Sequence, residues 1–145
     1  DLDNYRKCGT GTVRGKVDTD KIREIEFWEK AANDGITDQA IKKSADRFHT
    51  SLVNLDNTLT KSQFLLGKEI SILDIAWFIY VNRLTLCGYP IKRLHPNVNA
   101  WFKPLSERSE FAKEIIISPD IEEAIKANHQ RQRESKTTLA DIANL

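Results

Sequence analysis

Apolar residues recur through much of the chain at the spacing of helix faces. From about Lys21 to Asn33 one apolar stripe predicts a first helix, and Gly35 ends it. The members of this stripe are Ile22, Ile25, Trp28 and Ala32. Thr37 or Asp38 then caps the longest predicted helix, in which the apolar steps alternate between four and three residues. These positions are Ile41, Ala45, Phe48, Leu52, Leu55 and Leu59, and the seam predicts a partner helix along ~five turns.

The strongest local signal is a helix start between Ile70 and Ile75. Ser71 can accept from the Asp74 N–H while the Asp74 carboxylate accepts from the Ser71 N–H, which is the reciprocal pattern of a capping box. Ile70 and Ile75 occupy the positions of a hydrophobic staple. A catalytic acid is the alternative role for Asp74, and capping explains this residue more simply.

The helix that follows this start is apolar on every side. Its apolar residues are Ile72, Leu73, Ile75, Ala76, Trp77, Phe78, Ile79 and Val81. A helix that is apolar all round is buried in a core or in a bilayer. We therefore predict a wholly enclosed central helix that ends near Cys87 and Gly88.

Further helices are predicted towards the C-terminus, and no convincing strand is found anywhere. One begins at Pro96, and Pro104 either kinks it or splits it. Ser109 and Ser118 are candidate N-caps for helices over about 110–116 and 119–133, and Thr138 to Asp141 can cap a last short helix. These elements predict an all-α bundle of six to eight helices. The predicted organisation is a linker or poorly ordered lead over 1–20, a helical domain over 21–133, and a tail over 134–145 with a short helix.

Composition narrows the class of protein. The 145 residues suit one domain, and a net charge of +1 gives no electrostatic case for a nucleic-acid or membrane-surface partner. Cys8 and Cys87 share no redox or metal-ligand spacing, which favours a reduced, cytoplasmic protein. The longest apolar run is too short to span a bilayer. Because the chain lacks methionine and begins at Asp1, we expect it to be a piece of a longer protein.

The order Gly67, Ile70, Ser71, then Asp74-Ile75-Ala76 resembles the N-capping box and hydrophobic staple of the glutathione transferase C-terminal domain. The resemblance covers roughly residues 20 to 116, with Trp28 and the segment 52–66 upstream. The matching landmarks downstream are Tyr89-Pro90, His95-Pro96, Val98, Ala100-Trp101-Phe102, Leu105, Arg108 and Phe111.

This resemblance implies a helical half of a two-domain enzyme. In the family, a thioredoxin-like N-terminal domain holds glutathione as co-substrate and carries the catalytic Tyr, Ser or Cys. No such βαβ pattern is present here, so no catalytic residue is assigned to this chain and the chain alone is expected to be inactive. The parent protein is expected to be a homodimeric glutathione transferase that acts on a small apolar electrophile. The alternative is a non-catalytic interaction or ligand-carrier module, because fold does not settle function.

Candidate substrate-binding residues come from the first helix and the lead. Arg23 and Phe27 lie off the apolar stripe, and the resemblance implies that this helix lines the co-substrate cleft. The alternative is that Phe27 packs on a neighbouring helix or subunit and that Arg23 is a solvated charge. Tyr5 could reach the same cleft, against the alternative of a disordered tail.

Other side chains that invite a functional reading are assigned structural roles. Trp28 and Trp101 lie on apolar stripes and Trp77 lies in the enclosed helix, so all three are predicted to pack in the core, with the indole N–H groups finding partners. His49, His95 and His129 have no spacing that a metal would need, and no metal is predicted. Cys8 is interpreted as an ordinary free thiol.

Overall fold

The computed structural model describes residues 12–13, 16–17 and 19–145, and this part of the chain is predominantly helical. The helices are α1 (Thr19–Asp34), α2 (Asp38–Leu59), α3 (Ile72–Leu86), α4 (Ile91–Leu94), α5 (Pro96–Ser106), α6 (Ser109–Ala112), α7 (Pro119–Ser135) and α8 (Leu139–Ala143). A single 3₁₀ turn, Lys113–Ile115, follows α6. The predicted all-α class is confirmed.

The chain divides into two compact units, Asp1–Ala40 and Ile41–Leu145. The first unit contains α1 and two short antiparallel strands, β1 (Thr12–Val13) and β2 (Lys16–Val17). The strand pair corrects the expectation of no strand, because strands of two residues each are too short to produce a period in the sequence. Gly35 adopts φ +73° just beyond α1, as its predicted role in ending that helix requires.

The hydrophobic core of the second unit is formed by the inner sides of α2, α3 and α5 together with the α3–α4 connection. Leu52, Phe78, Val81 and Val98 are fully buried in this core. Phe78 stacks on Phe102 at 4.9 Å between ring centroids and meets Phe111 edge-on at 4.7 Å. The other members of the buried cluster are Tyr89, Ile91, Trp101 and Leu105.

The prediction that α3 is enclosed on every side is wrong. Its inner side, which carries Asp74, Phe78 and Val81, is fully buried. Its opposite side is open, with Ile72 77% exposed and Tyr80 47% exposed. Apolar residues all round indicate burial without specifying what buries each side, and the second unit covers only one of them.

Several predicted helix ends are confirmed and two details change. Thr37 caps α2 by accepting from the Ala40 N–H at 3.3 Å, and Thr138 and Asp141 form a capping box at the start of α8. Pro119 begins α7 after Ser118, as expected. Arg108 rather than Ser109 is the N-cap of α6, a shift of one residue at a short helix. Pro104 does not split α5.

None of the helices in the described ranges is both long enough and apolar enough to cross a membrane.

Candidate functional site

One carboxylate organises the start of α3. Asp74 Oδ2 accepts from the Ser71 backbone N–H at 2.9 Å and from the Ser71 hydroxyl at 2.5 Å. Asp74 Oδ1 accepts from the Leu65 N–H and from Trp101 Nε1, both at 3.0 Å. Four donors therefore saturate a side chain that has no exposed surface.

The capping role predicted for Asp74 is confirmed. The bond from the Ser71 N–H to the carboxylate is well formed, whereas the bond from the Asp74 N–H to the Ser71 hydroxyl is the weaker half of the box. Burial is the largest single influence on the pKa of Asp74 and would raise it. The hydrogen bonds from Ser71, Leu65 and Trp101 together outweigh burial and hold the pKa below its usual value. Asp74 is thus an ionised structural anchor.

This anchor joins three segments of the second unit. Leu65 belongs to the turn between α2 and α3, in which Phe64 and Gly67 pair backbone to backbone. Gly67 has φ +132°, which favours glycine at that point. Trp101 comes from α5, where it is 6% exposed, so its predicted core position and its hydrogen-bonded indole N–H are both confirmed. The inner side of α3 is consequently fixed in register against α5.

Several apolar side chains of α3 remain exposed in the second unit. We call this surface the outer face of α3 and define it by Ile72, Leu73, Ile75, Ala76 and Tyr80, all of which are exposed. Contiguous exposed apolar residues of this kind mark interaction surfaces, whereas single exposed ones do not. Trp77 borders this face and is only half-buried, which corrects the expectation that it lies wholly in the core.

A cleft flanks the outer face on the α2 side. It has a volume of about 290 Å³ and is lined by Ser44, Arg47, Phe48, Ser51 and Trp77. Tyr80 links the two aromatic walls, with ring centroids 6.0 Å from Phe48 and 5.8 Å from Trp77. This side of the face is therefore aromatic and carries a cation.

A second cleft lies on the α6 side and has the opposite charge. Its volume is about 190 Å³, and its lining is Ile75, Phe78, Ile79, Glu110, Phe111 and Glu114. Glu110 forms an ion pair with Arg108, with 3.5 Å between the nitrogen and oxygen atoms. The outer face of α3 thus runs between a positive rim and a negative rim.

A second buried polar cluster lies where α2 meets the α3–α4 connection and the start of α5. The Tyr89 hydroxyl is 3.2 Å from His49 Nδ1 and 3.1 Å from His95 Nε2. His95 has no exposed surface, and its Nδ1 atom has no hydrogen-bond partner within the described residues. Burial and the neighbouring His49 lower the pKa of His95 while Asp56 opposes them, and burial raises the pKa of Tyr89 to about 12.

Of the residues predicted to bind substrate, two lie on α1 in the first unit. Arg23 is exposed and forms an ion pair with Asp20 at 3.0 Å. This environment agrees with the alternative interpretation of Arg23 as a solvated charge. Phe27 is 54% exposed and meets Trp28 edge-on at 5.2 Å. Trp28 is itself 53% exposed, so its predicted core position is wrong; on α1 only Ile25 is buried. Tyr5 and Cys8 lie outside the described residues.

The predicted staple and the histidine interpretation have different outcomes. Ile70 packs half-buried on the core whereas Ile75 is 49% exposed, and their staple contact stays a prediction.

Among the described residues no group of three or more His, Cys, Asp or Glu side chains could hold a metal ion. The joining of His49 to His95 through Tyr89 was not anticipated, because His49 and Tyr89 lie 40 residues apart. The sequence signal that could have pointed to the Tyr89–His95 contact is that each of these residues precedes a proline, one at either end of the short helix α4.

Comparison with known families agrees with this architecture. The family model described as "Glutathione S-transferase, C-terminal domain" matches residues 38–103, which run from the start of α2 into α5 and include Asp74 and Trp101. No curated protein and no solved structure matches the chain. Over residues 38–103 the chain is thus similar to the glutathione S-transferase C-terminal domain.

Proposed function

We propose that this chain is the helical half of a glutathione transferase and that the outer face of α3 receives its thioredoxin-like domain. The observation that carries the proposal is an open, contiguous apolar face on the helix at the centre of the family match. The glutathione transferase family implies pairing with an N-terminal domain, so a partner surface is expected on a domain of this type. Its two rims favour a partner that carries an acidic group opposite Arg47 and a basic group opposite Glu114.

In this proposal the chemistry is divided between the two domains. The thioredoxin-like domain binds glutathione and supplies the Tyr, Ser or Cys that activates its thiol, while the helical domain supplies apolar wall for the electrophile. Arg23 and Phe27 of α1, with Tyr5, remain the proposed contacts to that co-substrate. The parent protein is proposed to be a cytoplasmic homodimer, with 21–133 as its helical domain and 134–145 as a tail.

A carrier or interaction module is the second candidate. The observation that favours it is that the one buried, strongly hydrogen-bonded carboxylate of the described chain, Asp74, is fully used in holding the fold. A helical domain of this kind supports docking equally well with or without turnover.

Retention of the natural full-length protein on immobilised glutathione, combined with conjugation of a generic aromatic electrophile, separates the two functions. The transferase proposal predicts both retention and turnover. Retention without turnover supports the carrier, and the absence of both rejects glutathione chemistry altogether. For the 145-residue chain alone, the division of labour predicts no glutathione-dependent rise in melting temperature, and a rise of several degrees contradicts it.

A further inference from the structure

The His49–Tyr89–His95 cluster contains one hydroxyl proton shared between two imidazoles. Tyr89 is 3% exposed and its ring stacks on that of His95 at 5.9 Å with 13° between the planes. The Tyr89 hydroxyl can donate to one histidine nitrogen and accept from the other, but it cannot donate to both. At neutral pH one imidazole presents a lone pair to Tyr89 and the other presents an N–H, so both bonds are satisfied.

Protonation affects this arrangement in two steps. With one imidazolium in the pair, its N–H donates to the Tyr89 oxygen and the hydroxyl still donates to the neutral imidazole, so both bonds survive. With two imidazolium ions the hydroxyl proton has no acceptor left in the cluster. Two positive rings would then also face each other with centroids 5.2 Å apart, in a place where His95 has no access to water. The cluster therefore tolerates one proton and opposes two.

The charged surroundings of His95 do not remove this conflict. Asp56 of α2 is the nearby carboxylate, but it already accepts from Asn97 Nδ2 and from the Val98 N–H, both at 2.9 Å. Lys92 and Arg93 of α4 are exposed, and Arg93 donates to the Leu145 carbonyl oxygen at 2.8 Å. On α5 the basic residue is Lys103, which is also exposed. From α7, His129 lies against Gly88, the residue before Tyr89, with its Nε2 3.6 Å from the position that a Cβ on Gly88 would take.

The cluster sits at the joint between α2 and α5. His95 precedes α5 without capping it, and Asp56 supplies the missing cap by bonding the Val98 N–H from across the bundle. The same helix carries Trp101, which holds Asp74. Loss of the His49–Tyr89–His95 bonds would therefore loosen the beginning of the helix that fixes α3 in register.

We propose that His49, Tyr89 and His95 form a proton-operated lock, which holds the start of α5 against α2 at neutral pH and opens when both imidazoles become protonated. The lock does not depend on the proposed transferase function, because all of its groups lie inside the second unit. It requires no ligand, and its operation is visible in the isolated chain.

The test is residue-resolved amide exchange of the 145-residue chain between pH 7.5 and pH 5.0, corrected for the intrinsic pH dependence of exchange. The expected result is that protection of Asn97 to Phe102 falls at least tenfold more than protection in α7 as the pH is lowered. The chain has three histidines, so His129→Gln is the matched control and should leave this loss unchanged. An equal change in α5 and α7 would overturn the proposal.

The decisive variant is His49→Gln. Glutamine can still exchange hydrogen bonds with Tyr89 but carries no charge, so a protonated His95 would donate to Tyr89 and the hydroxyl would donate to Gln. The selective loss in α5 should therefore disappear or move to a lower pH. Persistence of the wild-type profile in His49→Gln would mean that burial of His95 alone, and not the three-residue lock, controls α5. If His49→Gln does not fold, the imidazole resonances of His49 and His95 in the wild-type chain decide: both rings protonated with α5 still protected contradicts the lock.

Discussion

The two sides of α3 have similar apolar composition and opposite environments. The inner side carries Phe78 and Val81, which are fully buried, and is fixed by the saturated carboxylate of Asp74. The outer side carries Ile72, which is 77% exposed, between two clefts of opposite charge. The difference shows that apolar residues on every side of a helix do not specify which of those sides the rest of the chain buries.

The largest expected effect comes from truncating the inner side. Phe78→Ala removes a ring that stacks on Phe102 and touches Phe111, and it should lower the free energy of unfolding by about 4 kcal/mol. Ile72→Ala on the outer face should change it by less than about 0.5 kcal/mol. Urea unfolding at pH 7.5 measures both. Similar losses for the two variants would mean that the outer face is covered in the isolated chain.

Removing the anchor should have the next largest effect. Asp74→Ala leaves the N–H groups of Leu65, Ser71 and Trp101 without their acceptor in the interior, at a cost of about 3 kcal/mol. Asp141→Ala is the matched control, because it removes the same capping carboxylate at an exposed helix start where water can replace it. The control should therefore lose clearly less stability in the same urea titration. Equal losses would show that Asp74 acts only as a local cap.

Deleting a single bond to the anchor should cost less again. Trp101→Phe keeps most of the buried ring and removes one donor to an ionised carboxylate, which should cost about 2 kcal/mol. Trp28→Phe on α1, where the indole is 53% exposed, should stay within about 0.5 kcal/mol. Because a weakened anchor is easier to protonate, Trp101→Phe should also begin to unfold at a higher pH than wild type in an acid titration. An unchanged acid midpoint would argue against the Trp101–Asp74 bond.

The lowered pKa values of Asp74 and His95 determine how the stability of the chain changes with pH. The pKa of Asp74 lies below its unfolded value, so its contribution to stability is present above that value and is lost as the pH falls through the folded pKa. The pKa of His95 is also lowered, so the stability from its neutral form is present above an unfolded pKa of about 6.5 and declines below it. The two losses should thus separate, with His95 acting first.

The parts of the molecule that sequence could predict are those fixed by local rules. Ser71 and Asp74 lie three residues apart, so their capping box follows from helix geometry, and the same holds for Thr138 and Asp141. The apolar seam of α2 also placed Leu52 in the core. Such features need no knowledge of the rest of the chain.

The parts that escaped prediction depend on contacts between distant segments. The bond from Trp101 to Asp74 spans 27 residues, and that from His49 to Tyr89 spans 40. Trp28 was predicted to be core from its apolar stripe, and Trp77 from its place in an apolar helix. Both patterns report a preference for burial and not the number of neighbours present. Both of these indoles remain partly or largely exposed in the folded chain.

Calorimetric unfolding of the natural full-length protein tests most directly whether the outer face of α3 is a docking surface. Ile72→Glu introduces a charge in the first turn of α3, where the helix dipole tolerates it, so the isolated chain should keep its stability. The full-length Ile72→Glu protein should instead lose several degrees of Tm and separate into two transitions, whereas Ile121→Glu, an exposed change on α7, should resemble wild type. A full-length Ile72→Glu protein that unfolds like wild type would contradict the account.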